Sequence, residues 1–219
     1  MVDPGAGTDG ATRARIAGVN YTATHANEIE SQESLLNHPQ NGEKNNYDKR
    51  RPTMARTIIL VRHGKAKKAQ LGTDDIDRPL VPGAAEALAP TFRHAMAQLH
   101  GARQAHLWVS PALRAKQTSA ALAPALVGNG IQIVETRDLP CLFEQDQATF
   151  LDELAATPDD ACVAVVGHIP FMDELLTRLC DCQIDFAPGS IAAVELNGDP
   201  RDPSISGTLL WYARGPKLS

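Results

Sequence analysis

From residue 56 onward the chain alternates between two kinds of pattern, and that alternation limits its fold more than any other feature. Short apolar runs, rich in β-branched residues, cover 56–62, 105–109, 131–135, 161–166, 191–196 and 209–213. Between them lie stretches whose apolar residues recur at helical spacing, such as Leu88, Phe92, Ala95, Met96 and Leu99 within 84–99. Further helices are predicted over 112–126, over 147–156, and from Pro170, in a first helical turn, to about 179. Pro82 and Gly83 mark the start of the 84–99 helix, and Pro90 is expected to kink or split it. The run Ile58-Ile59-Leu60-Val61 has no polar face, as expected of a strand covered on both sides. Strands alternating with helices predict an α/β domain with a mainly parallel sheet and helices on both faces. The last two strands, joined by a Gly/Asp/Pro-rich link, suit a hairpin.

Residues 1–53 read differently. They are rich in Asn, Glu, Gly, Thr and Ser, and their scattered apolar residues bury too little to offset chain entropy. A disordered tail is expected there, with a short helix possible near 27–36 and a basic linker at Lys49-Arg50-Arg51. The domain is expected to span 54–219. A net charge of -5 argues against nucleic acid as a partner. No apolar run is long enough to span a membrane, and MVDPGAGTDG lacks the apolar stretch of a secretory leader. Cys141, Cys162, Cys180 and Cys182 lack zinc-site spacing, so reduced thiols in a cytoplasmic protein, with no metal, are expected.

In open parallel sheets ligands bind beyond the carboxyl ends of the strands, so the residues that follow each strand are the candidates. The first strand ends in Arg62-His63-Gly64. The second ends in Ser110-Pro111, with Arg114 one helical turn on, and the fourth ends in Gly167-His168. Right-handed crossovers bring these ends to one edge. Two guanidiniums, a second imidazole and helix N-termini suit the oxygens of a phosphoryl group. The remaining imidazole, His63, can attack phosphorus if neighbouring arginines keep its pKa low. Gly64 is expected to allow close backbone approach to the ring and the phosphate. Taken singly, each has a plainer reading: a satisfied histidine, a solvated helix arginine, an ordinary Ser-Pro turn. Their common placement at strand ends favours a site. His25, His38, His94, His100 and His106 lack that placement and are read as structural or exposed.

The motifs LVRHGKA, DRPL, SPALRAKQT, GHIPFMDELLTRLC and GSIAAVEL occur in an order that resembles the histidine phosphatases, and within them the SixA-like phosphohistidine phosphatases. The resemblance covers about 56–214. It implies a three-layer α/β/α sandwich of the phosphoglycerate mutase type, with His63 as the phosphorylated nucleophile and Arg62, Arg114 and His168 around the phosphate. It also implies Arg78, of DRPL, near the pocket, and neither metal nor organic cofactor. Gly64 and Ser110 complete the candidate phosphate-binding set.

Two departures stand out. Val81 occupies a position where the family commonly has a hydroxyl that caps the helix, so a looser helix start is expected. Larger relatives also place a carboxylate beside the pocket to protonate a leaving ester oxygen, and no motif here identifies one. Asp138, Glu144 and Asp146 are read as solvated loop charges. A phosphoramidate leaves as a neutral imidazole and needs that acid less, which favours phosphohistidine on a protein over a small phosphate ester. A third class, a non-catalytic phosphate-binding module, has no need of the nucleophile.

Overall fold

The structure is a computed structural model and describes residues 55–218. The expectations for residues 1–53, His25 and His38 among them, lie outside the described residues. β1 (Arg56–Arg62), β2 (Gln104–Val109), β3 (Gln132–Asp138), β4 (Cys162–Gly167), β5 (Ile191–Leu196) and β6 (Thr208–Ala213) form a single six-stranded sheet in the order β3-β2-β4-β1-β5-β6. β3, β2, β4 and β1 pair in parallel. β5 and β6 form the antiparallel hairpin at one side, with β5 against β1.

Successive side chains of β1 point to opposite faces, which divides the core in two. Ile59 and Val61 pack with Leu88, Phe92 and Met96 of α1 (Ala84–Met96) and Leu122 and Leu126 of α2 (Leu113–Gly128). Ile58 and Leu60 pack on the other face with Phe150 and Leu154 of α4 (Gln147–Ala155) and Phe171, Leu175 and Leu176 of α5 (Phe171–Cys180). The result is the expected α/β/α sandwich. β4 is buried at every position, so its run of apolar residues was a clear signal.

Several expectations need correction. α1 runs unbroken through Pro90. Pro90 and Glu86, four residues earlier, are both exposed, so the Glu86 carbonyl left without a helical donor is open to water. The helix stops at Met96, and Leu99 is buried outside it. α1 begins on Gly83, whose φ of 77° suits a residue without a Cβ; the Val81 carbonyl accepts from Ala84 N–H at 3.1 Å. β3 continues to Asp138, past the expected end, because this edge strand pairs only with β2 and leaves polar residues in water. A four-residue α3 (Cys141–Glu144) and a 3-10 turn at Asp75–Asp77 occupy segments read as loop.

Candidate active site

β1, β2 and β4 end at one edge of the sheet, and their backbones fix the residues that follow. His63 N–H donates to the Gly167 carbonyl at 3.0 Å, and Ser110 N–H to the Val166 carbonyl at 2.9 Å. The rings of His63 and His168 come within 4.9 Å centroid to centroid, tilted at 59°. Arg62, His63, Gly64, Arg78, Arg114 and His168 all line one cavity of about 370 Å³. Arg114, on the first turn of α2, is only 4% exposed rather than solvated. Ser110 is fully buried and does not line the cavity; its hydroxyl contacts His168 behind it.

One hydrogen bond assigns the ring proton of His63. His63 Nδ1 lies 2.7 Å from the Gly64 carbonyl, which can only accept, so Nδ1 carries the proton and Nε2 keeps its lone pair. Arg114 Nε–H donates to that Nε2 at 3.3 Å. Ser110 Oγ accepts from Ala112 N–H at 3.4 Å and lies 2.7 Å from His168 Nε2, a contact in which either atom can donate. His168 Nδ1 is buried and has no protein partner among the described residues.

Both rings are held neutral at pH 7. Burial lowers His63 to about 4; the Gly64 carbonyl opposes this, and the charges of Arg114, Arg62 and Arg78 add to it. Burial likewise lowers His168 to about 3, helped by His63 and Arg114 and opposed by Asp75. The sequence led us to expect arginines as the cause, but removal from water is the larger effect.

Gly64 also packs closely against α1. A Cβ there would come within 2.9 Å of Leu88 Cδ1 and 3.3 Å of Leu80 Cδ2, so a side chain at this position would require those leucine ends to shift. Its N–H donates to Thr118 Oγ1 at 3.0 Å, and Thr118 in turn donates to the Arg114 carbonyl at 2.7 Å. Arg62 donates through Nη1 to the Phe186 carbonyl, which turns its guanidinium along the cavity wall. Gln117 accepts from Leu80 N–H at 2.7 Å and ties the DRPL segment to α2.

Sequence reasoning did not single out Asp75. Its Oδ2 accepts from Arg114 Nη2 at 2.7 Å, its backbone carbonyl from Arg114 Nη1 at 2.5 Å, and its Oδ1 from Arg78 Nε at 2.7 Å. The carboxylates considered from sequence lie elsewhere: Asp146 caps α4 through Thr149 and Asp138 pairs with Lys116. His106 pairs with Glu135 on the sheet edge, while His94 and His100 are exposed. Among the described residues no group of three or more His, Cys, Asp or Glu is placed to hold a metal ion, and no helix is long and apolar enough to cross a membrane.

No family model matches the chain, and no curated protein matches it in sequence. Solved structures do. A SixA protein histidine phosphatase complexed with tungstate is 24% identical over 72% of this chain and 96% of its own, with a TM-score of 0.58. A protein assigned as SixA phosphohistidine phosphatase of Nakamurella multipartitia is 28% identical over 74% of this chain and 96% of its own, with a TM-score of 0.55. Its counterpart from Agrobacterium tumefaciens is 24% identical over 71% and 96%, with a TM-score of 0.54. A parallel sheet with a distal hairpin, two imidazoles and two arginines at its strand ends, and these likenesses agree: the chain has the fold of the histidine phosphatase superfamily and resembles its SixA branch.

Proposed function

We propose that the protein is a phosphatase that removes the phosphoryl group of a phosphohistidine on a protein, through a covalent intermediate on His63. The observation that carries this is the unprotonated Nε2 of His63, held beside the Arg114 guanidinium and facing His168 in a cationic cavity. In the first step the Nε2 lone pair forms a bond to phosphorus as the substrate's P–N bond breaks, and that electron pair leaves on the substrate imidazole. Arg62, Arg114 and Arg78 supply donors to the phosphoryl oxygens, with His168 beside them. In the second step water adds to phosphorus, and the P–Nε2 electron pair returns to the ring. Throughout, the Gly64 carbonyl keeps the proton on Nδ1, so the phosphorylated ring is an imidazolium and departs as a neutral imidazole.

The choice of phosphoramidate over ester rests on the available acids. Asp75, the one carboxylate among the described residues bonded to the cavity's arginines, feels burial that would raise its pKa, but the bonds and charges of Arg114 and Arg78 outweigh it and hold the group below the usual carboxylate range. Ionised at neutral pH, it has no proton for a departing alkoxide, which benefits from a general acid by about 10²–10⁴-fold. A leaving imidazole has less need of one. The SixA identity of the structural neighbours, one of them holding the tetrahedral oxyanion tungstate, points the same way.

The test is a comparison of kcat/KM for the full chain on a phosphohistidine-bearing protein against sugar and nucleotide monophosphates. A preference of at least about tenfold for the protein substrate is expected, the scale of a missing acid's contribution at its lower end. A preference for an ester overturns the substrate assignment. Phosphate binding without hydrolysis of any substrate leaves a phosphate-binding module.

A further inference from the structure

Asp75 belongs to the segment 65–81 between β1 and α1. That segment is closed at its base by the Ala66–Leu80 bridge and by hydrogen bonds from Lys67 N–H to the Pro79 carbonyl and Val81 N–H to the Lys65 carbonyl, both 2.9 Å. Asp75 sits at its far end, in the 3-10 turn, with a side chain 52% exposed. Its partner Arg114 is 5% exposed at the side chain and commits one N–H of each nitrogen: Nε to His63, Nη1 to the Asp75 backbone carbonyl and Nη2 to the Asp75 carboxylate. Arg78 commits its Nε to the same carboxylate.

We infer that Asp75 is a resident counter-ion with which a bound phosphoryl group competes for Arg114 and Arg78. A phosphoryl group placed for attack by His63 Nε2 needs guanidinium N–H groups from the arginine that touches that nitrogen. One of them, on Nη2, is already bonded to the Asp75 carboxylate, and carboxylate and phosphoryl repel each other at such range. Phosphate therefore takes the donors by displacing Asp75 toward water, which its exposure and its place at the end of a base-tied segment allow without disturbing the sheet. When phosphate leaves, the carboxylate returns. Asp75 thus sets how tightly the product is held. This rests on the reading of the cavity as a phosphoryl site, and a purely structural role for the residue predicts the opposite sign.

The test is calorimetric binding of inorganic phosphate to the full chain at fixed pH and ionic strength. Asp75→Asn is expected to bind phosphate about tenfold tighter, the scale of one charge-assisted bond no longer opposed. Asp75→Glu, which keeps the charge, should stay near wild type. Asp77→Asn, which removes a charge from the same turn without touching either arginine, should change affinity by less than about twofold, as a screened surface charge does. Should Asp75→Asn not fold, Asp75→Ser removes the same charge and must show the same gain. Equal or weaker binding in the neutral variants makes Asp75 a structural pin and overturns the inference, as does an equal gain in Asp77→Asn. Tighter binding by Asp75→Asn in a protein that hydrolyses nothing keeps the counter-ion and removes the phosphatase. No phosphate binding by any of these proteins removes both.

Discussion

The two halves of the cavity are built on different principles. The strand-end half consists of His63, Ser110 and His168, whose backbones are continuous with β1, β2 and β4; His63 Nδ1 donates to the Gly64 carbonyl, and Ser110 and His168 are hydrogen-bonded to each other. Ser110 and His168 are buried at 0% and 5% exposure. The other half, Asp75 and Arg78, hangs from the segment between β1 and α1 and is held by ion pairs that water reaches. A group that must keep one ring nitrogen unprotonated needs the first kind of support. A group that must yield its partners to an incoming anion needs the second. Burial fixes the chemistry, and exposed charge adjusts affinity.

Substitutions should separate the halves by size of effect. His63→Ala removes the attacking atom and is expected to abolish turnover while the fold, read by circular dichroism, persists; retained activity would move the nucleophile elsewhere. Arg114→Ala touches both halves and should lower kcat/KM by about 10²–10³-fold, as other donors to developing charge do. A tenfold loss or less would place it outside the reacting centre. Ser110→Ala should cost about tenfold, the scale of one buried hydrogen bond. Its signature is spectroscopic: ¹⁵N shifts of His168 should show a single tautomer in wild type and a mixture of tautomers in the variant. A mixture of tautomers in wild type would mean that Ser110 does not fix the ring.

The smallest effect concerns pH. His63 and His168 have pKa values of about 4 and about 3 in the folded protein, against about 6.5 for an unfolded histidine. Between those values the unfolded chain binds more protons, so this contribution to stability is present above about 6.5 and is lost as pH falls toward 4. The fall in unfolding midpoint from pH 7 to pH 5 should therefore be smaller in His63→Gln than in wild type. An equal fall would mean that His63 titrates normally in the folded state.

The same division explains what could be read from the sequence. β1 and β4 were legible because strands covered on both faces have no polar positions, and the residues that follow them were then candidates by topology. β3 was legible only in part, since an edge strand keeps polar residues that an apolar run omits. Pro90 misled because its effect on a helix depends on whether the freed carbonyl meets water, which only the fold shows. Burial of Arg114 and Ser110 was invisible for a related reason: neither type is usually inside, and α2 packing decides it. Asp75 could not be distinguished from Asp74 and Asp77. All three carry the same charge in the same loop, and only the turn geometry puts one of them on two arginines.

The most direct test of the central claim is to trap the phosphorylated protein. A brief incubation of the full chain with labelled phosphohistidine protein, quenched and digested, should yield acid-labile, alkali-stable phosphate on the peptide containing His63, carried on Nε2. Hydrolysis that proceeds with no label on His63, or with label on His168 instead, would contradict the account.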